Sequence, residues 1–170
     1  MLSVFRSLKE LNFGKLMDVY YEGNCKNAEE EYPNEEKNVG VLKAEQDFYQ
    51  YLSDCFFAIP DAIYALWEEN GNYISALRLE PYKDGLLLSG LETAPQHRRK
   101  GYAQRLMEAA LAEFADKKIY SHVAKRNAAS LAVHEKCGFQ IISDVAVYID
   151  GSADNRSFTL CRQETTEKPI

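Results

Sequence analysis

The sequence predicts one mixed α/β domain: a largely antiparallel sheet that contains one parallel strand pair and carries helices on both faces. Three observations predict it. Asn70-Gly71 lies between two strand-like runs, the strongest short signal for an antiparallel hairpin. Residues 86–124 read as strand, helix and strand, a crossover unit that favours parallel pairing. Leu86 and Leu88 face one way and Leu87 and Leu91 the other, as in a central strand covered on both sides.

Taken in order, Leu2 to Leu8 forms a first strand, and Leu11 to Asn27 reads as a helix with Leu16, Val19 and Tyr20 on one side. Residues 22–38 are rich in glutamate and interrupted by Pro33, and so read as an exposed connection that could attract cationic molecules. Val41 to Phe57 sets Leu42, Tyr49, Leu52 and Phe56 at helical intervals, and Pro60 ends that helix. Ala62 to Trp67 and Tyr73 to Leu79 are the hairpin strands, and Leu86 to Thr93 is the central one. The next helix opens near Gly101, with Leu106, Ala110 and Phe114 on one face, and Ile119 to Ala124 returns as a strand. Ile141 to Ile149 and Arg156 to Cys161 form a terminal hairpin across Asp150-Gly151, followed by a polar tail, Gln163 to Ile170, expected to fray.

The central strand runs into a proline and then a basic loop, Arg98-Arg99-Lys100-Gly101-Tyr102-Ala103, that opens a helix. The first N–H groups of a helix lack intrahelical partners and carry the positive end of its dipole. With glycine allowing close approach and three cations beside it, such a loop suits a diphosphate. By itself it is equally a solvated turn.

A second segment, Asn127-Ala-Ala-Ser130-Leu-Ala-Val-His134-Glu-Lys-Cys-Gly138-Phe139, follows about 25 to 30 residues on, the interval a helix plus a strand requires. Together the two segments resemble the GNAT superfamily of acyl-CoA-dependent N-acetyltransferases. Arg98, Gly101 and Ala103 match its first signature; Asn127, Ser130 and Gly138-Phe139 match its second, with His134 where a tyrosine is usual. The resemblance implies a GNAT-type sheet whose parallel strands diverge to admit acetyl-CoA as cosubstrate. It further implies that main-chain groups of Leu91, Glu92 and Thr93 bond the pantetheine arm. Residues Arg98, Arg99, Lys100, Gly101, Tyr102 and Ala103 would hold the diphosphate, with Asn127 and Ser130 also facing the cofactor. Asn127 would cap a helix in any case, and Gly138-Phe139 reads as a helix C-cap and a core anchor.

The implied reaction is direct attack of a primary amine on a thioester. An alkyl amine with a pKa near ~10.4 must lose a proton first. Glu92, on the strand beside the thioester, is the candidate base, or else a structural ion-pair partner. A main-chain N–H near Thr93 would polarise the carbonyl. The departing thiolate needs a proton, and His134, at the family's tyrosine position, is the candidate acid; it could instead hydrogen-bond the sulfur or simply pack. Tyr148 is a weaker substitute, and His97 and His122 have no motif support.

Composition narrows the rest. At 170 residues, with 46% hydrophobic and 27% charged, the chain can bury a proper core without an internal linker. A net charge of −6 argues against general nucleic-acid binding, and no apolar run reaches membrane-spanning length. The four cysteines show no metal-site spacing, so no metal is expected, and reduced thiols suit a cytoplasmic protein. His134 and Cys137 lie about one helical turn apart, but no nucleophile setting is recognisable. A noncatalytic acyl-CoA-binding or regulatory domain is the alternative, and a homodimer through exposed terminal strands is compatible with either. The acceptor's identity is open.

Overall fold

The structure, a computed structural model, describes residues 1–165. Strand β1 (Leu2–Phe5) pairs antiparallel with β2 (Ile63–Glu69), β2 with β3 (Asn72–Tyr82) and β3 with β4 (Gly85–Thr93). Strand β5 (Ile119–Ala124) then joins β4 in parallel. The seven-stranded order is β1-β2-β3-β4-β5-β9-β6, with β6 at Gln140–Ser143 and β9 at Ser157–Arg162. A separate ribbon pairs β7 (Ala146–Val147) with β8 (Ala153–Asp154).

Helices α1 (Phe13–Glu31) and α2 (Lys37–Tyr51) cover one face of the sheet, and α3 (Tyr102–Glu113) and α4 (Ala128–Lys136) the other. Alternation along β2 makes the division visible. Tyr64 and Leu66 pack with Leu16, Val19, Tyr20, Leu52 and Phe56, whereas Ile63 and Ala65 pack with Leu106, Met107, Ala110 and Leu111. The mixed fold, the Asn70-Gly71 hairpin and the β4–α3–β5 crossover are those the sequence predicts. Among the described residues no helix is long and apolar enough to cross a membrane.

Four local expectations are corrected. The first strand ends at Phe5 rather than Leu8, because Glu10 accepts from the Arg6 and Ser7 N–H groups and turns the chain into a short 3-10 helix. Residues 22–31 are not a connection but the second half of α1. Glutamates suit a helix, and Asn24 and Ala28 are buried there, with Ala28 packed against Val41 and Ala44 of α2. In α2 the inward positions are Val41 and Ala44; Leu42 and Tyr49 are 55% and 47% exposed. The expected long terminal hairpin forms but is divided: β6 pairs antiparallel with β9, which β5 flanks on its other side, and a separate β7–β8 ribbon closes around Asp150-Gly151. Of the predicted fraying tail, residues 166–170 lie outside the described residues.

Candidate functional site

Parallel pairing between β4 and β5 consists of Leu86 with Ile119, Leu87 with Tyr120 and Leu88 with Ser121. It stops there, although β4 continues to Thr93 and β5 to Ala124. The two strands therefore form a fork open at their C-terminal ends. Immediately beyond, Ser89 pairs with Arg78 and Glu92 with Ala76, so that Leu77 opposes both Gly90 and Leu91 in a β-bulge. Gly90 adopts φ +60, and a Cβ there would lie 2.8 Å from Arg78 Nε. The Tyr20 hydroxyl donates to the Gly90 carbonyl at 2.6 Å and accepts from the Tyr64 hydroxyl at 2.9 Å. Burial pushes the Tyr20 phenol up to about 12, so it stays a proton donor.

Main-chain direction past the bulge follows from one bond. The Ala94 N–H donates to Ile74 of β3 at 2.9 Å, and successive residues of a strand point their main-chain groups to opposite edges. Those of Thr93 therefore point away from β3, and its carbonyl accepts from Arg98 Nε at 3.2 Å. The Leu91 side chain packs with the α3 cluster, while the Glu92 carboxylate lies on the α1 side. Burial raises the Glu92 pKa from its ordinary value; Arg98 and Lys26 oppose that shift and Glu22 reinforces it.

The basic loop resolves into two parts. Arg98 faces acidic partners: its guanidinium pairs with Glu22 of α1 and approaches Glu92 at 3.6 Å, and its N–H donates to Pro95 at 3.4 Å. Arg99 and Gly101 both have positive φ, 58° and 79°, and Gly101 is the N-cap of α3. The helical ladder begins with Arg105 N–H donating to the Gly101 carbonyl at 3.0 Å. The N–H groups of Tyr102, Ala103 and Gln104 thus precede it. A Cβ on Gly101 would meet no atom within 4 Å, so the space before these donors is open. Lys100 Nζ reaches only the Gln96 carbonyl, 3.1 Å away, and the Tyr102 hydroxyl donates to Glu69 at 2.8 Å. Donors that precede the helical ladder, an open approach at Gly101 and adjacent cations fit a diphosphate.

Asn127 caps α4, its side chain accepting from the Ser130 N–H at 3.1 Å. Gly138, at φ 86, ends that helix and Phe139 is buried in the α3 cluster. His134 is buried at 2% exposure, its ring in edge contact with Phe139. Its Nε2 lies 2.8 Å from Ser121 Oγ at the base of the fork, and its Nδ1 lies 2.8 Å from the Ser130 carbonyl oxygen. Burial lowers its pKa, with the bond to Ser130 opposing. Tyr148 lies elsewhere, bonded to Asp154 and in edge contact with His122. Burial raises the Cys137 thiol to about 11, away from nucleophilic thiolate character.

Sequence reading misses Ser121, Tyr20, Tyr64 and Arg78. The first three carry no signal, whereas an arginine inside the apolar run Tyr73 to Leu79 is one that could have been noticed. A groove of about 480 Å³ at the end of β5, lined by Lys125, Arg126 and Arg156 among others, is also legible only in three dimensions. Among the described residues no group of three potential metal ligands occurs.

A family model described as the acetyltransferase (GNAT) family matches residues 25–139. No curated protein matches significantly. Among solved structures, the chain is similar to the PaiA N-acetyltransferase of Thermoplasma acidophilum in complex with coenzyme A, at 13% identity over 96% of this chain and 99% of that one, with a TM-score of 0.60. It is also similar to the spermidine N-acetyltransferase of Vibrio cholerae in complex with CoA and spermine, at 20% identity over 95% and 94%, with a TM-score of 0.60. The ribosomal-protein-S18-alanine N-acetyltransferase of Escherichia coli matches at 15% identity over 100% and 99%, with a TM-score of 0.61. At these identities the likeness to solved structures is one of fold.

Proposed function

The chain belongs to the GNAT acetyltransferase family, which makes it an acyl-CoA-dependent N-acetyltransferase, and on that premise we propose that it moves an acetyl group from acetyl-CoA to a primary amine by direct attack in a ternary complex. The observation that carries this reading is the fork between β4 and β5, with the open N-terminus of α3 following β4 in the chain. Bound acetyl-CoA supplies the acetyl group as an activated thioester.

Leu91 and Thr93 offer main-chain groups on the unpaired edge of β4 to the pantetheine arm. The N–H groups of Gly101, Tyr102, Ala103 and Gln104 hold the diphosphate, with Arg99 and Lys100 adding positive charge. Asn127 and Ser130, in the first turn of α4, also face the cofactor in this reading. Arg98 is a positioning residue: by bonding Glu22, Glu92 and the Thr93 carbonyl it ties α1 and the loop to the end of β4.

Glu92 takes a proton from the incoming amine, directly or through one water, and its raised pKa makes it a better base than an ordinary carboxylate. The N–H of Thr93 stabilises negative charge on the reacting carbonyl oxygen. His134 departs from the acid role expected of its position. It is neutral above its lowered pKa, with Nδ1 committed to the Ser130 carbonyl and Nε2 accepting from Ser121. Its role is to position the fork by tying α4 to β5. A thiolate with a pKa near ~8.5 can leave without a dedicated acid and take its proton from solvent.

Calorimetric titration with acetyl-CoA, CoA and dephospho-CoA tests the cofactor assignment, with Gly101→Glu as the control. Saturable binding lost in the variant, followed by amine-dependent CoA release, supports the reading. A folded protein that binds none of the three overturns it.

A further inference from the structure

We infer that Arg78 binds a carboxylate carried by the acceptor, so that the acceptor is an amino acid or a similarly short aminocarboxylate; this rests on the acetyl-transfer reading above. Arg78 projects from β3 onto the face covered by α1 and α2. Its Cζ lies 5.2 Å from the ring centre of Tyr51 and 5.8 Å from those of Phe48 and Phe56. Stacking fixes a guanidinium in place but satisfies none of its five N–H donors. Among the described residues Arg78 has no carboxylate within 4.0 Å and no side-chain hydrogen bond, and its Nε is buried without a partner. Glu80, two residues along the same strand and face, is the carboxylate whose charge acts on Arg78, yet it stays outside ion-pair distance.

A half-buried cation whose Nε is sealed without a partner is costly unless a ligand completes it. Its planar fork, held rigid by aromatic rings, is pre-organised for a bidentate oxyanion. Arg78 also stands at the place where such an anion would matter. It pairs with Ser89, one residue beyond the last parallel pair of the fork, and its guanidinium packs against Gly90. Ala76, the register partner of Glu92, is two residues further along β3, roughly 7 Å away. Glu92 and Arg78 thus rise from neighbouring strands on one face of the sheet at short backbone spacing, and we take one small molecule to present its amine to Glu92 and its carboxylate to Arg78. Glu22 and Glu92 attract the cationic end and Arg78 the anionic one, which matches a zwitterion better than a polyamine.

The test compares kcat/KM, read as CoA release, for the common amino acids and for their carboxamides, which keep the amine and remove the negative charge. The wild-type protein should favour the acids by at least about tenfold, the loss that follows from leaving a charged partner unmade. In Arg78→Met the ratio should fall to near unity while acetyl-CoA affinity, measured calorimetrically, is unchanged. A stacking role alone would not move this ratio. Should Arg78→Met fail to fold, Arg78→Gln is used for the same comparison. Equal use of acids and amides by the wild type, or a preference that survives in the variant, overturns the inference. Turnover of polyamines but of neither acids nor amides also overturns it and leaves acetyl transfer standing. Acetyl-CoA binding with no amine of any class turned over removes the transfer reading, and this inference with it.

Discussion

His134 Nε2 lies 2.8 Å from the Ser121 hydroxyl, and Ser121 is the last residue of β5 to pair with β4. Because the Ser130 carbonyl can only accept, the 2.8 Å contact on the other side puts the ring proton on Nδ1 and leaves Nε2 as an acceptor. His134→Ala removes a buried ring and two hydrogen bonds. It should cost about 2–4 kcal/mol of stability in denaturant unfolding. It should also lower kcat without moving the alkaline limb of the pH–rate profile. A limb that shifts with the substitution would restore His134 as the proton donor.

The acid limb of kcat/KM should report Glu92, which must be deprotonated to act as a base. Burial sets that limb above the ordinary carboxylate value, and the two neighbours act in opposite directions. Arg98 lowers the Glu92 pKa, so Arg98→Met should move the limb to higher pH. Glu22 raises it, so Glu22→Gln should move the limb to lower pH. Parallel shifts, or none, would exclude Glu92 as the titrating base.

Gly101→Glu puts a carboxylate into the open space before the first turn of α3. The positive φ of 79° costs about 1–2 kcal/mol for a side chain, which the fold should tolerate. Repulsion of the diphosphate should weaken acetyl-CoA binding by at least about tenfold in calorimetry. Gly101→Ala, carrying the same backbone strain without the charge, should lose much less.

Gly90→Ala meets two obstacles at once, a φ of +60 and contacts of 2.8 and 2.9 Å to the Arg78 guanidinium. It should destabilise the protein by at least about 1–3 kcal/mol in thermal or denaturant unfolding. Pairing it with Arg78→Met should recover the steric part and leave the conformational part, a double-mutant comparison that separates the two.

Local rules account for what could be read early. Asn70-Gly71 specifies a turn through its own backbone preferences, and the β4–α3–β5 crossover follows from the lengths and apolar patterns of three consecutive segments. The motif pair around Gly101 and Asn127 was legible because both act at helix N-termini, where neighbouring residues set the geometry. Where a partner distant in sequence decides the outcome, local pattern does not carry it. The glutamate-rich end of α1 is helical because Ala28 finds Val41 and Ala44. β9 keeps antiparallel pairing with β6 and takes β5 as a second, full-length partner, which divides the terminal hairpin.

The mixed fold, the basic loop and the identity of the candidate side chains follow from local patterns, since each rests on residues within a few turns or one crossover of each other. Contacts between distant elements set the surroundings of those side chains: Arg98 is turned toward Glu22 and Glu92, His134 is sealed against Ser121, and Arg78 stands without an ion-pair partner beside Gly90. Charge state and hydrogen-bond commitment depend on burial and on neighbours from other elements, and these exist only once the helices have closed over the two faces of the sheet.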